Sequence, residues 1–241
     1  MSKTMGTEAE TLPTTQGGAP RVGIDFLELR QRFLAAQLTG DRRTALRLTL
    51  DACLEQGASI LDVQLKVIQE AQRELGRLWE EDRINIAQEH MATAIAQLAL
   101  AHLYQHAAPI ESAGQRIMVA CVEGELHEFP ARIVSDALDL AGFSVKYLGA
   151  NVPTESLLAI ISAELPDLLA LSVTMSFNTP ALRSAVSQVR EQTQGRLPII
   201  IGGHACRWAK GLADELGVAG TAADAAEVVG LAQKILRRGA S

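Results

Sequence analysis

The sequence predicts an α/β protein in which an N-terminal four-helix bundle precedes a parallel β-sheet with helices on both faces. From residue 24 to residue 108, apolar residues recur at helical spacing, and the abundance of alanine and leucine with only 4% aromatic residues favours helices. Beyond residue 115, short apolar runs of strand length alternate with helical segments. Five strands in this length are typical of the flavodoxin-like order, whose ligand crevice lies at the carboxyl ends of the first and third strands.

The chain divides into four segments by composition. We expect a disordered tail at residues 1–22, a bundle at 23–108, a linker at 109–115 and the sheet domain at 116–241. The tail has no apolar core, so it is neither a signal peptide nor a membrane span. The net charge of −6 argues against direct DNA binding, and three widely spaced cysteines indicate a reducing, cytoplasmic location.

The bundle helices are predicted at about residues 25–38, 41–56, 59–81 and 86–106. The turns between them are short, so neighbouring helices should be antiparallel. We expect the third to be one long helix that carries Leu61, Leu65, Ile68, Leu75 and Leu78 as its apolar positions.

The second half shows five strand-like runs and five helices. The strands are predicted at 117–122, 145–148, 168–173, 199–201 and, weakly, 218–220. The helices are predicted near 130–141, 154–165, 180–192, 205–216 and 224–236. Right-handed crossovers would bring the carboxyl ends of the strands to one edge.

Three features should meet at that edge. His127 lies in the loop after the first strand, Ser172-Val-Thr174 closes the third, and Gly202-Gly203 follows the fourth. A glycine pair lets a backbone approach a ligand that a Cβ would obstruct. No Gly-x-Gly-x-x-Gly follows the first strand and there is no P-loop, so a dinucleotide lacks its phosphate cradle. The alternatives are a solvated histidine and a tight turn before a helix.

Together these motifs resemble the cobalamin-binding domain family, whose signature is Asp-x-His-x-x-Gly, then Ser-x-Leu or Ser-x-Thr, then Gly-Gly. The resemblance spans about residues 116–238, and the preceding bundle is similar to the helical module that caps the corrin in many members. It implies that His127 replaces the benzimidazole tail as the lower cobalt ligand. The residues that it places around the cofactor are Val152 beneath the ring, Ser172, Thr174, Gly202 and Gly203 around the tail, and Gly220.

Two residues depart from the family pattern. Glu125 stands where the family has Asp, and Pro130 where it has Gly. A longer carboxylate can still orient the far ring nitrogen of His127, which fixes its tautomer and basicity. Pro130 suits the first turn of the following helix, since its missing N–H would have no partner there.

A second motif lies in the bundle. Trp79 is followed by nine residues and then Glu89-His90, with Ile86 seven residues after the Trp. This spacing is similar to that of adenosylcobalamin-dependent photoreceptors, which implies that Trp79 covers the upper adenosyl group and that Ile86, Glu89 and His90 contact it. Glu80 departs from the His that follows the Trp in those proteins. A core tryptophan and a solvated Glu-His turn are the alternative.

The resemblance implies a sensor that is not an enzyme and has no DNA-binding domain of its own. Its cofactor would be cobalamin, with adenosylcobalamin preferred and methylcobalamin possible. Light would break the cobalt–carbon bond, change the packing of the bundle, and signal to a regulatory protein partner or through self-association. One alternative is the corrinoid shuttle of a methyltransferase, and another is a plain cobalamin carrier.

Overall fold

The computed structural model describes residues 23–107, 114–209 and 211–238. Internal contacts divide the chain into two compact units, Met1–Pro109 and Ile110–Ser241. The predicted tail and residues 109–113 of the predicted linker lie outside the described residues. Within those ranges no helix combines the length and apolarity needed to cross a membrane.

The first unit is helical, as predicted. Its elements are α1 (Phe26–Leu38), α2 (Arg42–Leu54), α3 (Ile60–Val63), a π-helical segment (Gln64–Gln69), α4 (Glu70–Glu80) and α5 (Ile86–Gln105). Side chains of Asp25, Asp41, Ser59 and Asn85 accept backbone N–H groups at the starts of α1, α2, α3 and α5. These caps satisfy donors that have no intrahelical partner.

The third predicted helix is not one continuous α-helix. Its π-helical segment makes i→i+5 turns, which are wider than α-helical turns and shift the buried face along the sequence. Of the five predicted apolar positions, Ile68, Leu75 and Leu78 are buried, and Leu61 and Leu65 are partly buried. Val67, inside the π-helical segment, is fully buried as well.

The second unit contains a five-stranded, fully parallel sheet in the order β2-β1-β3-β4-β5. This confirms the predicted flavodoxin-like arrangement. The strands are β1 (Arg116–Cys121), β2 (Ser144–Tyr147), β3 (Leu168–Ser172), β4 (Ile199–Gly202) and β5 (Gly220–Ala222). The helices are α6 (Phe129–Leu140), α7 (Thr154–Glu164), α8 (Thr179–Gln192), α9 (His204–Trp208), α10 (Leu212–Leu216) and α11 (Ala225–Arg238), with a 3₁₀ turn at Ser176–Asn178.

Two details differ from the sequence prediction. The predicted helix 205–216 is divided into α9 and α10, because Gly211 between them adopts φ +81°, which an α-helix cannot contain. Strand β5 begins at Gly220, where the predicted strand ended.

Alternate residues of β1 enter hydrophobic cores on opposite faces of the sheet. Met118 and Ala120 pack with residues of α7, α8, α9 and α10, and Val119 and Cys121 pack with residues of α6 and α11. A strand that is covered on both faces has a continuous run of apolar residues in its sequence. The polar residues that follow these runs therefore lie at the edge of the sheet.

Candidate functional site

The strand register places the ends of four strands level with one another. Cys121 of β1 pairs with Ser172 of β3, Ser172 pairs with Gly202 of β4, and Gly202 pairs with Ala222 of β5. The order reverses between β1 and β3, so the loops after these two strands form the crevice where such sheets bind ligands. His127 and Thr174 lie in those loops, as predicted.

Glu125 connects the two loops. Its Oε1 accepts the backbone N–H of His127 at 2.9 Å and lies 2.6 Å from the ring Nδ1 of His127. Its Oε2 accepts the backbone N–H groups of Thr174 at 2.8 Å and Met175 at 2.9 Å, and the side-chain amide of Asn178 at 3.1 Å. The Glu125 side chain is fully buried, whereas 54% of the His127 side chain is exposed.

The hydrogen bonds keep Glu125 ionised. Burial alone would raise the pKa of Glu125, but the donors from His127, Met175 and Asn178 outweigh burial and lower the pKa to about 2. An ionised carboxylate at this distance accepts the Nδ1 proton of His127, so the neutral ring has its lone pair on Nε2. This is the tautomer that a metal ligand requires, and the backing carboxylate raises its basicity.

The third strand is followed by a buried hydroxyl, and the fourth by a tightly packed glycine. The Oγ1 atom of Thr174 is buried and has no hydrogen-bond partner among the described residues. Ser172 is buried beside it in sequence, at the end of β3. Gly203 has φ +99°, and a Cβ there would lie 2.2 Å from the carbonyl oxygen of Val173. Only glycine fits this turn, and a buried hydroxyl without a partner is a group that a polar ligand could satisfy.

The loop after β2 joins the same cluster. Val152 forms an isolated parallel bridge with Val122, directly after β1. The backbone N–H of Asn151 donates to the Glu125 carbonyl at 2.9 Å, and its side-chain oxygen accepts the Gly124 N–H at 2.7 Å. Val152 is therefore held beside the loop that carries His127.

Two apolar side chains remain uncovered next to these polar groups. Leu126 and Phe177 are each 70% exposed, and they adjoin His127 and Asn178 in sequence. Apolar side chains grouped around convergent polar atoms are typical of cofactor sites. Neither residue was predicted from the sequence, since a single apolar residue in a loop has no periodic pattern.

Gly220 does not lie with the other predicted site residues. It begins β5 and pairs with Ile200, two positions before the level at which Gly202 ends β4. A Cβ on Gly220 would lie 3.0 Å from Cδ2 of Leu231 in α11. The absence of a side chain there is explained by close packing of a helix on the sheet.

In the helical unit, Trp79 lies near the end of α4 and is 48% exposed, so it is not a core residue. Thr93 of α5 contacts Gln72 of α4 at 2.9 Å. Helices α4 and α5 are joined by a short turn and run antiparallel. Trp79 lies seven residues after Gln72 on α4, and Ile86 lies seven residues before Thr93 on α5, so the two residues should face each other across the helix pair. Ile86 is 53% exposed. Trp79 and Ile86 are both exposed apolar side chains at the end of the unit where α4 is joined to α5.

Glu89 and His90 belong to the same end of α5. The Thr93 hydroxyl donates to Glu89 Oε1 at 2.7 Å, and Glu89 Oε2 lies 3.6 Å from His90 Nε2. The Glu89 side chain is 26% exposed and the His90 side chain 72% exposed. An oriented carboxylate thus lies one turn from Ile86, beside a solvent-facing imidazole.

Three further residues complete this surface and were missed from the sequence. Gly76 precedes Trp79 by one turn, and a Cβ there would meet nothing within 4 Å. Gln72 has a buried Nε2 atom without a partner, and Thr93 connects Gln72 with Glu89. A glycine inside a helix costs about 1 kcal/mol relative to alanine, so Gly76 was a signal for open space beside α4.

In residues 23–107, 114–209 and 211–238, no group of three or more His, Cys, Asp or Glu side chains could hold a metal ion. His127 with Glu125 is a one-imidazole donor set, which suits a metal whose other ligands come from a cofactor. Fold and site together define a two-unit cofactor-binding protein, with a helical unit before a parallel sheet and a carboxylate-backed histidine at the crevice.

Comparison with known proteins identifies the family. The sequence profile of the B12 binding domain matches residues 115–230, and a second B12 binding domain profile matches residues 29–104. The chain is 30% identical over 121 residues to dimethylamine corrinoid protein 3 of Methanosarcina mazei, which covers 50% of this chain and 71% of that protein. The chain therefore belongs to the B12-binding family and is a cobalamin-binding protein.

A transcriptional repressor and a solved structure are also similar to this chain. The HTH-type transcriptional repressor CarH of Myxococcus xanthus is 29% identical over 145 residues, 60% of this chain. The chain spans about half of that repressor, 48% of its length. The monomethylamine corrinoid protein of Methanosarcina barkeri superposes with a TM-score of 0.72 at 20% identity, over 87% of this chain and 99% of that one. This last similarity concerns the fold.

Proposed function

We propose that this protein is an adenosylcobalamin-dependent light sensor that signals through a protein partner or through self-association. One observation carries the proposal beyond cobalamin binding: Trp79 and Ile86 leave an uncovered apolar surface beside Glu89 and His90. A lid over an organic upper ligand needs such a surface. A methyl carrier needs its upper face open to partner enzymes.

On the lower side, His127 would bind cobalt through Nε2. Glu125 holds the ring by its Nδ1–H and would stabilise the tautomer that coordinates. Thr174 would satisfy its buried hydroxyl with the nucleotide tail, and Gly203 would hold the turn after β4 against the backbone of Val173. The residues present thus fit the group.

On the upper side, the residues of the helical unit would hold the adenosyl group. Trp79 offers a flat apolar ring, Glu89 a carboxylate already oriented by Thr93, and Gly76 an open space on the same face of α4.

When bound, adenosylcobalamin supplies a cobalt–carbon bond that visible light breaks. Trp79 would contact the upper group in the dark and would lack that contact after illumination. Because packed helices have discrete arrangements, loss of this contact would favour a different packing of the helical unit. That change is the signal that a partner or a second copy would read.

The test is an absorption and size measurement on the full chain loaded with adenosylcobalamin, first in darkness and then after illumination. We expect a spectral change together with a change in hydrodynamic radius or oligomeric state. Trp79→Ala should keep cobalamin bound but abolish the hydrodynamic response. A loaded protein whose spectrum and size are the same in dark and light would refute the proposal.

A corrinoid methyl carrier is the second candidate, favoured by the coverage of 71% of a dimethylamine corrinoid protein. The two functions differ in their preferred upper ligand. A sensor with a lid should bind adenosylcobalamin more tightly than methylcobalamin, and Trp79→Ala should remove this preference. Tighter binding of methylcobalamin, unaffected by Trp79→Ala, would instead support the carrier.

A further inference from the structure

Asn178 lies directly before α8, where an asparagine ordinarily caps the helix. Its side chain makes no such capping hydrogen bond. Asn is among the preferred N-cap residues because its side-chain oxygen accepts a backbone N–H of the first turn, and the bond contributes about 1 kcal/mol. The Asn178 side chain has a different role here.

Both Nδ2 hydrogens of Asn178 point to the loop that carries His127. Nδ2 donates to Oε2 of Glu125 at 3.1 Å and to the carbonyl oxygen of Gly124 at 3.3 Å. Asn178 is only 7% exposed, so these bonds form away from bulk water. A Cβ on Gly124 would lie 3.0 Å from the Asn178 side-chain oxygen, and Gly124 has φ +81°. The amide is thus fitted closely against the loop.

The length of Glu125 makes this contact possible. The carboxylate uses one oxygen for His127 and the other for the loop after β3, so it must extend between two loops. Thr174 and Met175 donate to that second oxygen through their backbones, and within the described residues Asn178 is the one that donates to it through its side chain. A substitution at Asn178 therefore changes the support of Glu125 without changing Glu125 or His127.

We propose that Asn178 is a positioning residue for the cobalt ligand: by holding Glu125 and the Gly124 carbonyl, it fixes the ring of His127 for coordination. This rests on the proposed role of His127 as the lower ligand. Loss of the Asn178 amide lets the carboxylate turn from the ring, so the histidine-bound form of cobalamin becomes less populated. Groups that act behind a metal ligand change metal affinity by about 10- to 100-fold, and we expect about 10-fold for Asn178.

The experiment uses the full chain with adenosylcobalamin and, as the cobalt(II) probe, cob(II)inamide, which lacks the benzimidazole tail, so that an axial nitrogen has to come from the protein. Asn178→Ala removes both donors. Asn178→Asp keeps a side chain of nearly the same size but replaces the amide by a carboxylate, which repels the carboxylate of Glu125. The readouts are the affinity, the base-off absorption spectrum, and the electron paramagnetic resonance spectrum of cobalt(II), in which an axial nitrogen splits each cobalt line into a triplet. We expect weaker binding and a reduced triplet in both variants, with the larger effect in Asn178→Asp.

Asp224→Ala is the matched control in the same unit. Asp224 accepts the Glu227 N–H at the start of α11, so its removal costs a helix cap without touching Glu125. It should lower the melting temperature and leave the triplet intact. If Asn178→Asp does not fold, Asn178→Ala decides the test alone. Asn178 variants with the native affinity and triplet would overturn the inference.

The His127→Ala variant separates this inference from the function on which it rests. Loss of the triplet in His127→Ala with retention in the Asn178 variants overturns the positioning role and leaves His127 as the ligand. Retention of the triplet in His127→Ala overturns the ligand assignment itself, and with it the positioning role.

Discussion

Replacement of Glu125 by glutamine changes the ring tautomer of His127 while keeping the side chain nearly the same size. A carboxamide has one oxygen, and three donors, from Thr174, Met175 and Asn178, converge where Oε2 now lies. The oxygen should take that place, so the amide nitrogen faces the His127 backbone N–H. The ring then has to accept at Nδ1 and carry its proton on Nε2, the atom that would coordinate cobalt.

The magnitude follows from the bond that is lost. The contact of 2.6 Å between Glu125 and the His127 ring is short and charge-assisted. Hydrogen bonds to charged groups contribute about 1.5–3 kcal/mol, which corresponds to roughly 10- to 100-fold in affinity. Glu125→Gln should therefore weaken adenosylcobalamin binding by that factor and shift the bound cofactor toward a form without the histidine.

Titration in darkness, followed by absorption, measures both effects. Glu123→Gln is the control, since Glu123 is exposed and makes one long contact of 3.4 Å with the backbone N–H of Thr154. It should bind cobalamin as the native protein does. A Glu125→Gln variant with native affinity and spectrum would refute the reasoning, because the tautomer of His127 would then not depend on the carboxylate.

Three further predictions concern stability and the upper site. Gly203→Ala should lower the free energy of unfolding, measured with denaturant, by roughly 3 kcal/mol or more, because its Cβ would clash with the Val173 backbone. Gly230→Ala is the control: there is open space beside Gly230 in α11, so this variant should be as stable as the native protein or more stable. The pKa of Glu125 is about 2 in the folded state against a usual 4.5. Its contribution of roughly 3 kcal/mol to the free energy of unfolding is therefore fully present above pH 4.5 and is lost as the pH falls toward 2. The Glu125→Ala variant should lack this pH-dependent part of its stability, and an acid-unfolding profile identical to that of the native protein would contradict the prediction. Gly76→Ala should raise the melting temperature, because alanine is a better helix former than glycine. The same variant should bind adenosylcobalamin more weakly, because the added Cβ takes up the open space beside Gly76. An unchanged affinity would show that the cofactor does not use this space.

The sequence predicted the order of the sheet and the position of the crevice because both depend on patterns of burial. The strands β1, β3 and β4 are covered on both faces, so each is a continuous apolar run, and the polar residue that follows each run marks the edge of the sheet. His127, Thr174 and Gly203 were found in this way, and the family resemblance supplied their roles.

Other features left no mark in the pattern. Thr174, Met175 and Asn178 lie about fifty positions from Glu125 in the sequence. Three of the donors to Glu125 are backbone groups whose direction depends on the path of the loop. Asn178 reads as an ordinary helix cap in the sequence. The π-helical segment preserves a plausible apolar spacing, so nothing in the sequence separates it from an α-helix.

The π-helical segment also determines which way the indole of Trp79 faces. A single wide turn accommodates one more residue than the α-helix around it would hold over the same length. If the same sequence formed an uninterrupted α-helix, everything after Gln69 would be rotated by about 100° and moved forward by about 1.5 Å. Deleting one residue between Gln64 and Gln69 would instead allow an uninterrupted α-helix with Trp79 on its present face, so the wide turn absorbs one residue and keeps the tryptophan in place.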